Sequence, residues 1–111
     1  MSEIYDGEAV LARLRSQAAR EMYRITLHAH QEMVEENVTL DEVRSVLLDA
    51  RLLENYPEHK RGACCLICGR STRERFLHVV CTTSLEYAII ITVYEPKQPK
   101  WITPFDRGAK S

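Results

Sequence analysis

The sequence lacks a long hydrophobic run, a secretory leader and a strong net charge. Its 111 residues are 45% hydrophobic and 28% charged, a composition that excludes wholesale disorder and predicts a single domain over residues 1–111. No apolar segment approaches the ~20 residues that a membrane span needs. Residues 1–6 also lack the basic and apolar stretches of a secretory leader. We therefore expect a cytoplasmic protein that does not associate with membranes.

Several motifs of enzyme sites are also missing. The sequence contains no glycine-rich phosphate loop, no H-E-x-x-H zinc motif and no evident cluster of carboxylates for magnesium. It shows no internal repeat and no low-complexity linker. We therefore expect neither a cofactor nor a metal, so that any catalysis has to come from acid and base side chains.

The small net charge of −1 conceals a strong asymmetry along the chain. Residues 1–59 hold six Lys and Arg against twelve Asp and Glu, a balance of −6. Residues 60–111 hold nine against four, a balance of +5. If the two halves form different faces, the basic face can meet phosphate or an acidic protein. A solvated surface whose charges segregate without function is the alternative.

The first half of the chain predicts helices. Apolar residues recur at spacings of three and four, and the expected helices cover residues 7–23, 28–36 and 39–49. Asp6 is the expected N-cap of the first helix, and Asn37 is expected to end the second in the left-handed conformation. Thr39 and Glu42 form a capping box before the third. Residues 24–27 are expected to be a short extended link.

The second half of the chain predicts a sheet. Strands are expected over residues 51–56, 63–68, 75–81 and 87–94. Polar turns between them favour an antiparallel meander, and Pro96 and Pro99 end the last strand. Trp101 and Phe105 in the tail are expected to fold back on the body, before a loose C-terminus. The expected fold class is α+β, with two or three N-terminal helices packed on an antiparallel sheet of about four strands.

Three cysteines lie close together in the second predicted strand. Cys65 and Cys68 form a C-x-x-C pair directly after Cys64. Side chains alternate along a strand, so this pair points to opposite faces, and no second C-x-x-C completes four zinc ligands. We interpret the cysteines as small buried hydrophobic residues. A zinc ion shared with His28 or His30, or a redox role, is the alternative.

Two histidines are candidate acid and base groups, with structural roles as the alternative. His28 begins the second predicted helix one turn before Glu32, whose carboxylate can orient the imidazole. His78 lies inside the third predicted strand. In a metal-free ribonuclease, a base takes the 2′-hydroxyl proton, an acid protonates the leaving oxygen and a cation steadies the phosphorane. Arg75, Tyr94 and Glu95 complete this candidate catalytic set.

A series of short motifs runs along most of the chain. They are His28-Ala29…Glu32-Met33, Val38-Thr39-Leu40-Asp41-Glu42-Val43, Leu53-Glu54-Asn55-Tyr56-Pro57, Cys65-Leu66-Ile67…Gly69, Leu77-His78-Val79-Val80 and Ile90-Ile91-Thr92-Val93-Tyr94-Glu95-Pro96…Trp101. With these motifs the sequence resembles an uncharacterised bacterial family, a domain of unknown function placed near the RelE, ParE and BrnT toxins of toxin–antitoxin systems. The resemblance covers residues 25–107 and leaves the first helix, within residues 1–24, outside.

The resemblance implies a RelE-like fold, a zinc-finger antitoxin as partner and cleavage of messenger RNA. On this hypothesis His28 and His78 are the acid and base, Arg75 is the phosphate-binding cation, and Tyr94 orients or stacks on the RNA. The basic half supplies the candidate RNA-binding residues, which are Arg73, Lys97, Lys100 and Trp101.

The alternative is a noncatalytic module of the same fold that binds a protein or RNA through its basic sheet side. The low net charge argues against a nuclease that depends on the ribosome, because phosphate contacts supply most of the nonspecific affinity for nucleic acid. Sequence alone does not give the oligomeric state.

Overall fold

Within residues 5–98 and 100–108, which the computed structural model describes, the chain forms three helices, a five-stranded sheet and a two-stranded hairpin. The helices are α1 (Gly7–Ala19), α2 (Leu27–Glu35) and α3 (Leu40–Leu48). The strands are β1 (Tyr23–Ile25), β2 (Arg51–Tyr56), β3 (Cys64–Arg70), β4 (Phe76–Thr82), β5 (Ala88–Tyr94), β6 (Trp101–Thr103) and β7 (Asp106–Arg107). The predicted α+β class is confirmed.

The helix starts follow the capping chemistry expected from the sequence. The Asp6 carboxylate accepts a hydrogen bond from the N–H of Glu8 at 3.0 Å at the start of α1. Before α3, the Thr39 hydroxyl accepts from the Glu42 N–H and the Glu42 carboxylate accepts from the Thr39 N–H, each at 3.1 Å. Asn37 follows α2 with a φ of 54°. The N-cap, the capping box and the left-handed residue are all confirmed.

The first helix is shorter than its apolar pattern indicates. α1 ends at Ala19 rather than near residue 23, and Glu21 adopts a φ of 55°. The Met22 N–H then donates to the Gln17 carbonyl at 2.7 Å, which turns the chain into β1. Met22 continues the helical spacing beyond this turn, so periodicity alone could not locate the end of the helix.

The sheet is mixed, with the strand order β1-β5-β4-β3-β2. β1 pairs with β5 in parallel, with Arg24 opposite Ile89, whereas the other neighbours are antiparallel. The predicted antiparallel meander is confirmed as β2–β5, but the sheet has five strands rather than about four and is mixed, because residues 23–25, predicted only as a helix end and part of an extended link, join it as a parallel strand. Three residues are too few to show the alternation of a strand, and their partner lies more than sixty positions further along the chain.

Helix α2 continues the pairing that β1 begins along the edge of β5. The Thr26 N–H donates to a β5 carbonyl at 3.1 Å. Further along, the Glu32 carboxylate accepts from the Val93 N–H at 3.0 Å, and the Glu36 carboxylate accepts from the Glu95 N–H at 2.8 Å. These side chains occupy backbone donors that an exposed edge strand would offer to another chain.

The helices cover one face of the sheet and form the core with it. Ile67, Val79 and Val93 lie side by side on this face and are fully buried. α3 approaches β3 at Gly69, where an added Cβ would lie 3.1 Å from backbone atoms of Val46. The glycine after the C-x-x-C pair therefore allows the helix to pack directly on the strand.

The hairpin of β6 and β7 returns over the opposite face, as the sequence predicts for the tail. Trp101 is only 3% exposed, and the rings of Phe105 and Phe76 pack edge to face with centroids 5.3 Å apart. Residues 1–4, Pro99 and residues 109–111 lie outside the described residues, so the expectations for the chain start, for Pro99 and for a loose C-terminus stay predictions. No helix in the described part of the chain is long and apolar enough to cross a bilayer.

Candidate functional site

His78 and Tyr94 meet on the sheet face opposite the helices. They lie directly across from each other in β4 and β5, and His78 Nδ1 is 3.0 Å from the Tyr94 hydroxyl oxygen. His78 Nε2 is 2.6 Å from the carbonyl oxygen of Pro104 in the hairpin. Because a carbonyl only accepts, Nε2 carries the proton, and the Tyr94 hydroxyl donates to Nδ1 of the neutral ring. Both ring nitrogens are therefore occupied.

The surroundings of His78 keep its ring neutral. The side chain is completely buried, and burial lowers the pKa of His78 although the Pro104 carbonyl opposes the shift. Burial also raises the pKa of Tyr94. Both shifts favour the uncharged forms, so the pair is a neutral imidazole hydrogen-bonded to a neutral phenol. The buried ring has no contact with solvent while the hairpin is closed.

The hairpin encloses His78 with contacts from several directions. The ring centroids of His78 and Trp101 are 4.3 Å apart and the rings are nearly perpendicular. Arg107 donates to both carboxylate oxygens of Glu54 on β2, at 2.7 and 2.8 Å. These hydrogen bonds lower the pKa of Glu54 to about 2, and the Tyr56 hydroxyl donates to the same carboxylate.

Sequence reasoning missed Glu54 and Arg107 as a pair. They are 53 positions apart, and neither belongs to a helical or strand pattern that marks it as unusual. Only the return of the hairpin over β2 brings them together. Among the sequence signals, the opposite charges in the two halves of the chain come closest to indicating such a contact.

Arg75 is occupied by protein acceptors. The buried Glu42 carboxylate accepts from its Nε and Nη2 at 2.9 and 3.1 Å. The remaining hydrogens go to the carbonyls of Glu36 and Asn37, at 3.1 and 2.7 Å, and to the Glu95 carboxylate at 3.3 Å. All five guanidinium hydrogens therefore have acceptors. A phosphate would have to displace these bonds to reach Arg75.

Glu42 is the centre of this network. Its side chain is 0% exposed, and the Ser71 hydroxyl donates to it at 2.8 Å. Burial opposes its ionisation, but hydrogen bonds from Arg75, Ser71 and the Thr39 backbone lower the pKa of Glu42 to about 2. The capping box identifies Glu42 from sequence as the residue that starts α3. Its second role, as the partner of Arg75, depends on the packing of α3 against the β3–β4 turn.

His28 lies in a separate place. It is exposed on α2, with Nε2 3.3 Å from Glu32 Oε1, so the expected pairing on one helix face is confirmed. α2 packs along β5 on the core side, whereas His78 lies on the opposite face under the hairpin. Among the described residues, no hydrogen bond, ion pair or ring contact joins the two histidines. The structure does not bring them into one site.

The four candidate RNA-binding residues have different surroundings. Arg73 contacts the Glu42 carboxylate at 3.5 Å, and Lys97 lies 3.9 Å from a carboxylate oxygen of Glu36, just after α2. Trp101 belongs to β6 of the hairpin and is buried against the sheet. Lys100 is exposed, and its ammonium lies over the ring of Tyr94. Of the four, Lys100 combines exposure with a direct contact to the histidine–tyrosine pair.

Four exposed cations lie over aromatic rings around this pair. They are Arg51 over Phe105 at 4.4 Å, Arg70 over Phe76 at 5.8 Å, Lys100 over Tyr94 at 5.9 Å and Arg107 over Trp101 at 4.7 Å, measured to the ring centroids. We call these eight residues the basic–aromatic face. Arg51 lies opposite Cys68, and Cys68 lies opposite His78. The strand register therefore places Arg51 and Cys68 on the same sheet face as His78. In the described chain, Arg51, Arg70 and Lys100 have no carboxylate within ion-pair distance.

The cysteines are free and buried in the sheet. Cys65 Sγ lies 3.9 Å from Cys81 Sγ within the core, whereas Cys68 lies on the face of His78. Strand alternation therefore splits the C-x-x-C pair across the sheet, as predicted. Burial raises the pKa of Cys68 to about 11, so this thiol is protonated at neutral pH. In the described residues, no three His, Cys, Asp or Glu side chains converge to hold a metal ion.

Comparison with known families identifies the domain at the centre of the chain. A family model described as a domain of unknown function, DUF4258, matches residues 25–95. The chain belongs to this family. The DUF4258 match includes α2, α3 and β2–β5, and with them His78, Tyr94 and Glu54. Helix α1 and the hairpin lie outside it, and the relationship to RelE-type toxins stays a prediction. Comparisons with curated proteins and with solved structures found no match.

The Glu42–Arg75 pair makes a prediction about stability. Replacing Glu42 with Gln is expected to lower the free energy of unfolding by about 3 kcal/mol, because the largely buried Arg75 guanidinium loses its buried charge partner and keeps only the more exposed Glu95 carboxylate. The half-exposed Arg73→Gln is the matched control, with a change of less than about 1 kcal/mol. Urea denaturation measures both. The pKa of Glu42 is about 2 in the folded protein and about 4.3 in the unfolded chain. The stability that its ionised carboxylate contributes is therefore lost as pH falls from about 4.3 to about 2.

If Glu42→Gln were as stable as the wild type at neutral pH, the carboxylate would not be what holds Arg75. Arg75 would then return as a candidate for binding phosphate. Stability at acid pH gives a second check. The wild type loses the contribution of Glu42 to the free energy of unfolding between about pH 5 and pH 2, whereas the variant lacks this contribution at every pH.

The buried His78 predicts a second dependence of stability on pH, at higher pH than that of Glu42. Its folded pKa is lowered, so as pH falls through about 6.5 the unfolded state takes up a proton that the folded state does not. Stability is therefore expected to fall from about pH 7.5 to about pH 5.5, with a slope of at most about 1.4 kcal/mol per pH unit from this residue. Urea midpoints across this range test it. His78→Gln is expected to remove this part of the slope. His28→Gln, a change at an exposed histidine, is the control and retains it. Equal slopes in His78→Gln and in the wild type would exclude a buried neutral ring at position 78.

Proposed function

We propose that this DUF4258 protein binds single-stranded RNA through the basic–aromatic face, as a toxin-like protein of the RelE and BrnT kind. The observation that carries the proposal is the set of four exposed cations held over aromatic rings around His78 and Tyr94. Basic grooves with aromatic rings are the usual means by which proteins bind RNA single strands.

The distribution of charge supports this choice of face. Arg51, Arg70 and Lys100 are exposed on the sheet side without carboxylate partners among the described residues. Phosphates can therefore approach them without displacing an existing ion pair. The three helices belong to residues 1–59, the half of the chain with a balance of −6. RNA is attracted to one side of the molecule and repelled by the other.

The position of the cations also matters. A guanidinium over a ring is held in place by the ring, so it loses less side-chain freedom when it contacts a phosphate. The rings that support the cations include Phe76 and Tyr94 of the sheet and Phe105 of the hairpin.

The RNA-binding proposal predicts a specific effect of charge reversal. The triple variant Arg51→Glu, Arg70→Glu and Lys100→Glu is expected to bind a fluorescent single-stranded RNA at least about tenfold more weakly at low salt. Its affinity is also expected to depend less on salt, by about 0.7 in logarithmic slope for each phosphate that the variant no longer neutralises. Fluorescence anisotropy between about 50 and 200 mM salt, the range in which such contacts show, measures both.

The matched control reverses charge on the helical side. Arg15 and Arg20 are exposed on and just after α1, and Arg15→Glu with Arg20→Glu is expected to leave RNA affinity close to that of the wild type. A control variant that binds as weakly as the triple variant would assign the weaker binding to net charge alone. Wild-type affinity in the triple variant would remove the basic–aromatic face as the RNA site.

A second candidate function is cleavage of the bound RNA, favoured by the hydrogen-bonded His78–Tyr94 pair. A neutral His78 could take the 2′-hydroxyl proton once its ring is exposed, while Tyr94 orients the ring or donates a proton. Lys100 and Arg107, over the rings of Tyr94 and Trp101, are the cations beside this pair. Arg75 is not proposed for this role, since its hydrogens are occupied by protein acceptors.

Cleavage is tested separately from binding. Expression of the wild type in a bacterium is expected to arrest growth and degrade messenger RNA, and Tyr94→Phe and His78→Gln are expected to relieve the arrest. Both variants retain RNA affinity, because neither changes a cation of the face. His28→Gln is the control and remains toxic. Harmless expression of soluble wild-type protein, with intact RNA, would leave the noncatalytic RNA-binding module as the function.

A toxin-like role also requires a partner that neutralises it. We propose a small zinc-finger antitoxin, in the cytoplasm, on the strength of the motif resemblance. Such a partner would be encoded next to this protein, and its co-expression would relieve the growth arrest without any change in the toxin.

A further inference from the structure

The hairpin is joined to the sheet mainly through side chains. β6 and β7 pair with each other as a separate two-stranded sheet. The hairpin is held by the Glu54–Arg107 ion pair, by the bond from His78 to the Pro104 carbonyl and by ring contacts, which include Phe105 on Phe76, Trp101 on His78 and the cations Arg51 and Lys100 over Phe105 and Tyr94. A two-stranded hairpin of this size is not stable in water alone. It can therefore detach from the face without disturbing the backbone pairing of the five-stranded sheet.

The hairpin conceals the groups that the proposed site needs. His78 is 0% exposed and Trp101 3% exposed while the hairpin is closed. Water and RNA can therefore reach these side chains only when the hairpin has moved away from the sheet.

The ion pair that holds the hairpin is of a kind that RNA can break. The Arg107 and Glu54 side chains are 40% and 25% exposed, so the pair is within reach of solvent and salt. Phosphate oxygens accept the same forked pair of N–H bonds from an arginine that a carboxylate accepts. A phosphate arriving on the basic–aromatic face can therefore replace Glu54 as the partner of Arg107.

We propose that residues 100–108 form a lid, latched by Glu54 and Arg107, which RNA opens by drawing Arg107 onto a phosphate. Opening exposes His78, Tyr94 and Trp101 to the RNA. It also separates Arg51 from Phe105 and Lys100 from Tyr94, so these two cation–ring contacts of the closed form, on which RNA first arrives, are exchanged for contacts with phosphates and bases. This proposal rests on the proposed RNA-binding function and adds a gate to the same site. The latch lies partly outside the DUF4258 match, since Glu54 is within residues 25–95 and Arg107 is beyond them.

The chain contains its own reporter of the lid. Trp101 is the single tryptophan, so tryptophan fluorescence, excited where tyrosine does not absorb, reports the hairpin alone. Acrylamide is expected to quench the closed wild type weakly. Glu54→Gln releases the latch, and its quenching constant is expected to rise several-fold, with a red-shifted emission and an unchanged far-UV circular dichroism spectrum. Arg107→Gln breaks the latch from the other side and gives the same result. Glu58→Gln, an exposed carboxylate just after β2, is the matched control and quenches as the wild type does.

RNA binding tests whether the lid is a gate. If the closed form outnumbers the open form by about ten to one, Glu54→Gln is expected to bind the single-stranded RNA about tenfold more tightly than Glu58→Gln, because affinity scales with the binding-competent fraction. Glu58→Gln loses the same negative charge and keeps the latch, so it accounts for the effect of charge alone. Arg107→Gln also removes a cation that binds phosphate, so it is not used in this arm. Native-state hydrogen exchange gives an independent measure, with hairpin amides expected to exchange by local opening at denaturant concentrations that leave the sheet protected.

The outcomes separate the lid from the function on which it rests. Unchanged Trp101 quenching in both latch variants, or hairpin exchange only through global unfolding, overturns the lid whether or not RNA binds. Increased quenching in Glu54→Gln without tighter RNA binding overturns the gate, because the open face then has no advantage. RNA affinity that is absent from the wild type and from Glu54→Gln alike contradicts the RNA-binding proposal itself, and the gate with it.

Discussion

The buried Glu42–Arg75 pair is the interaction on which the arrangement of the elements depends. Glu42 starts α3 through its capping box, and Arg75 directly precedes β4. The same guanidinium binds the carbonyls of Glu36 and Asn37 at the end of α2. Because a buried charge without its partner is strongly destabilising, these three segments are held in one position relative to each other. The placement of α2 along the edge of β5, and of β4 as the strand that carries His78, depends on this arrangement.

The two faces of the sheet differ in composition. The helix side is an apolar core in which Ile67, Val79 and Val93 are fully buried, and α3 comes so close to β3 at Gly69 that an added Cβ would meet backbone atoms of Val46. The other side carries His78, Tyr94 and the four cations of the basic–aromatic face. Three of these cations belong to the basic half of the chain, and β2 contributes the fourth, Arg51, from the acidic half.

The chemistry of His78 is governed by what covers it. Two hydrogen bonds and the Trp101 ring hold a neutral imidazole away from water. In this closed form the residue contributes to structure, and in the proposed open form the same residue is a base beside a phenol and several cations. His78 has the surroundings of a core residue, yet it lies on the side of the sheet proposed to bind RNA. A histidine with both a structural and a reactive role would account for this combination.

Local chemistry determined much of this fold from sequence. The caps at Asp6 and Thr39, the left-handed Asn37, four of the strands of the main sheet and the split of Cys65 from Cys68 all depend on near neighbours or on alternation, which a sequence displays directly. The pairing of His28 with Glu32 has the same local basis.

Tertiary structure decided the rest, because it depends on contacts between distant residues. The parallel addition of Tyr23–Ile25 to β5, the capture of Arg75 by Glu42, and the latch between Glu54 and Arg107 each join residues more than thirty positions apart. No periodicity or spacing records such a contact. The sequence by itself determined which groups the protein has and on which face of each element they lie. Packing decided which of them meet: His78 with Tyr94 under a hairpin, and not His78 with His28.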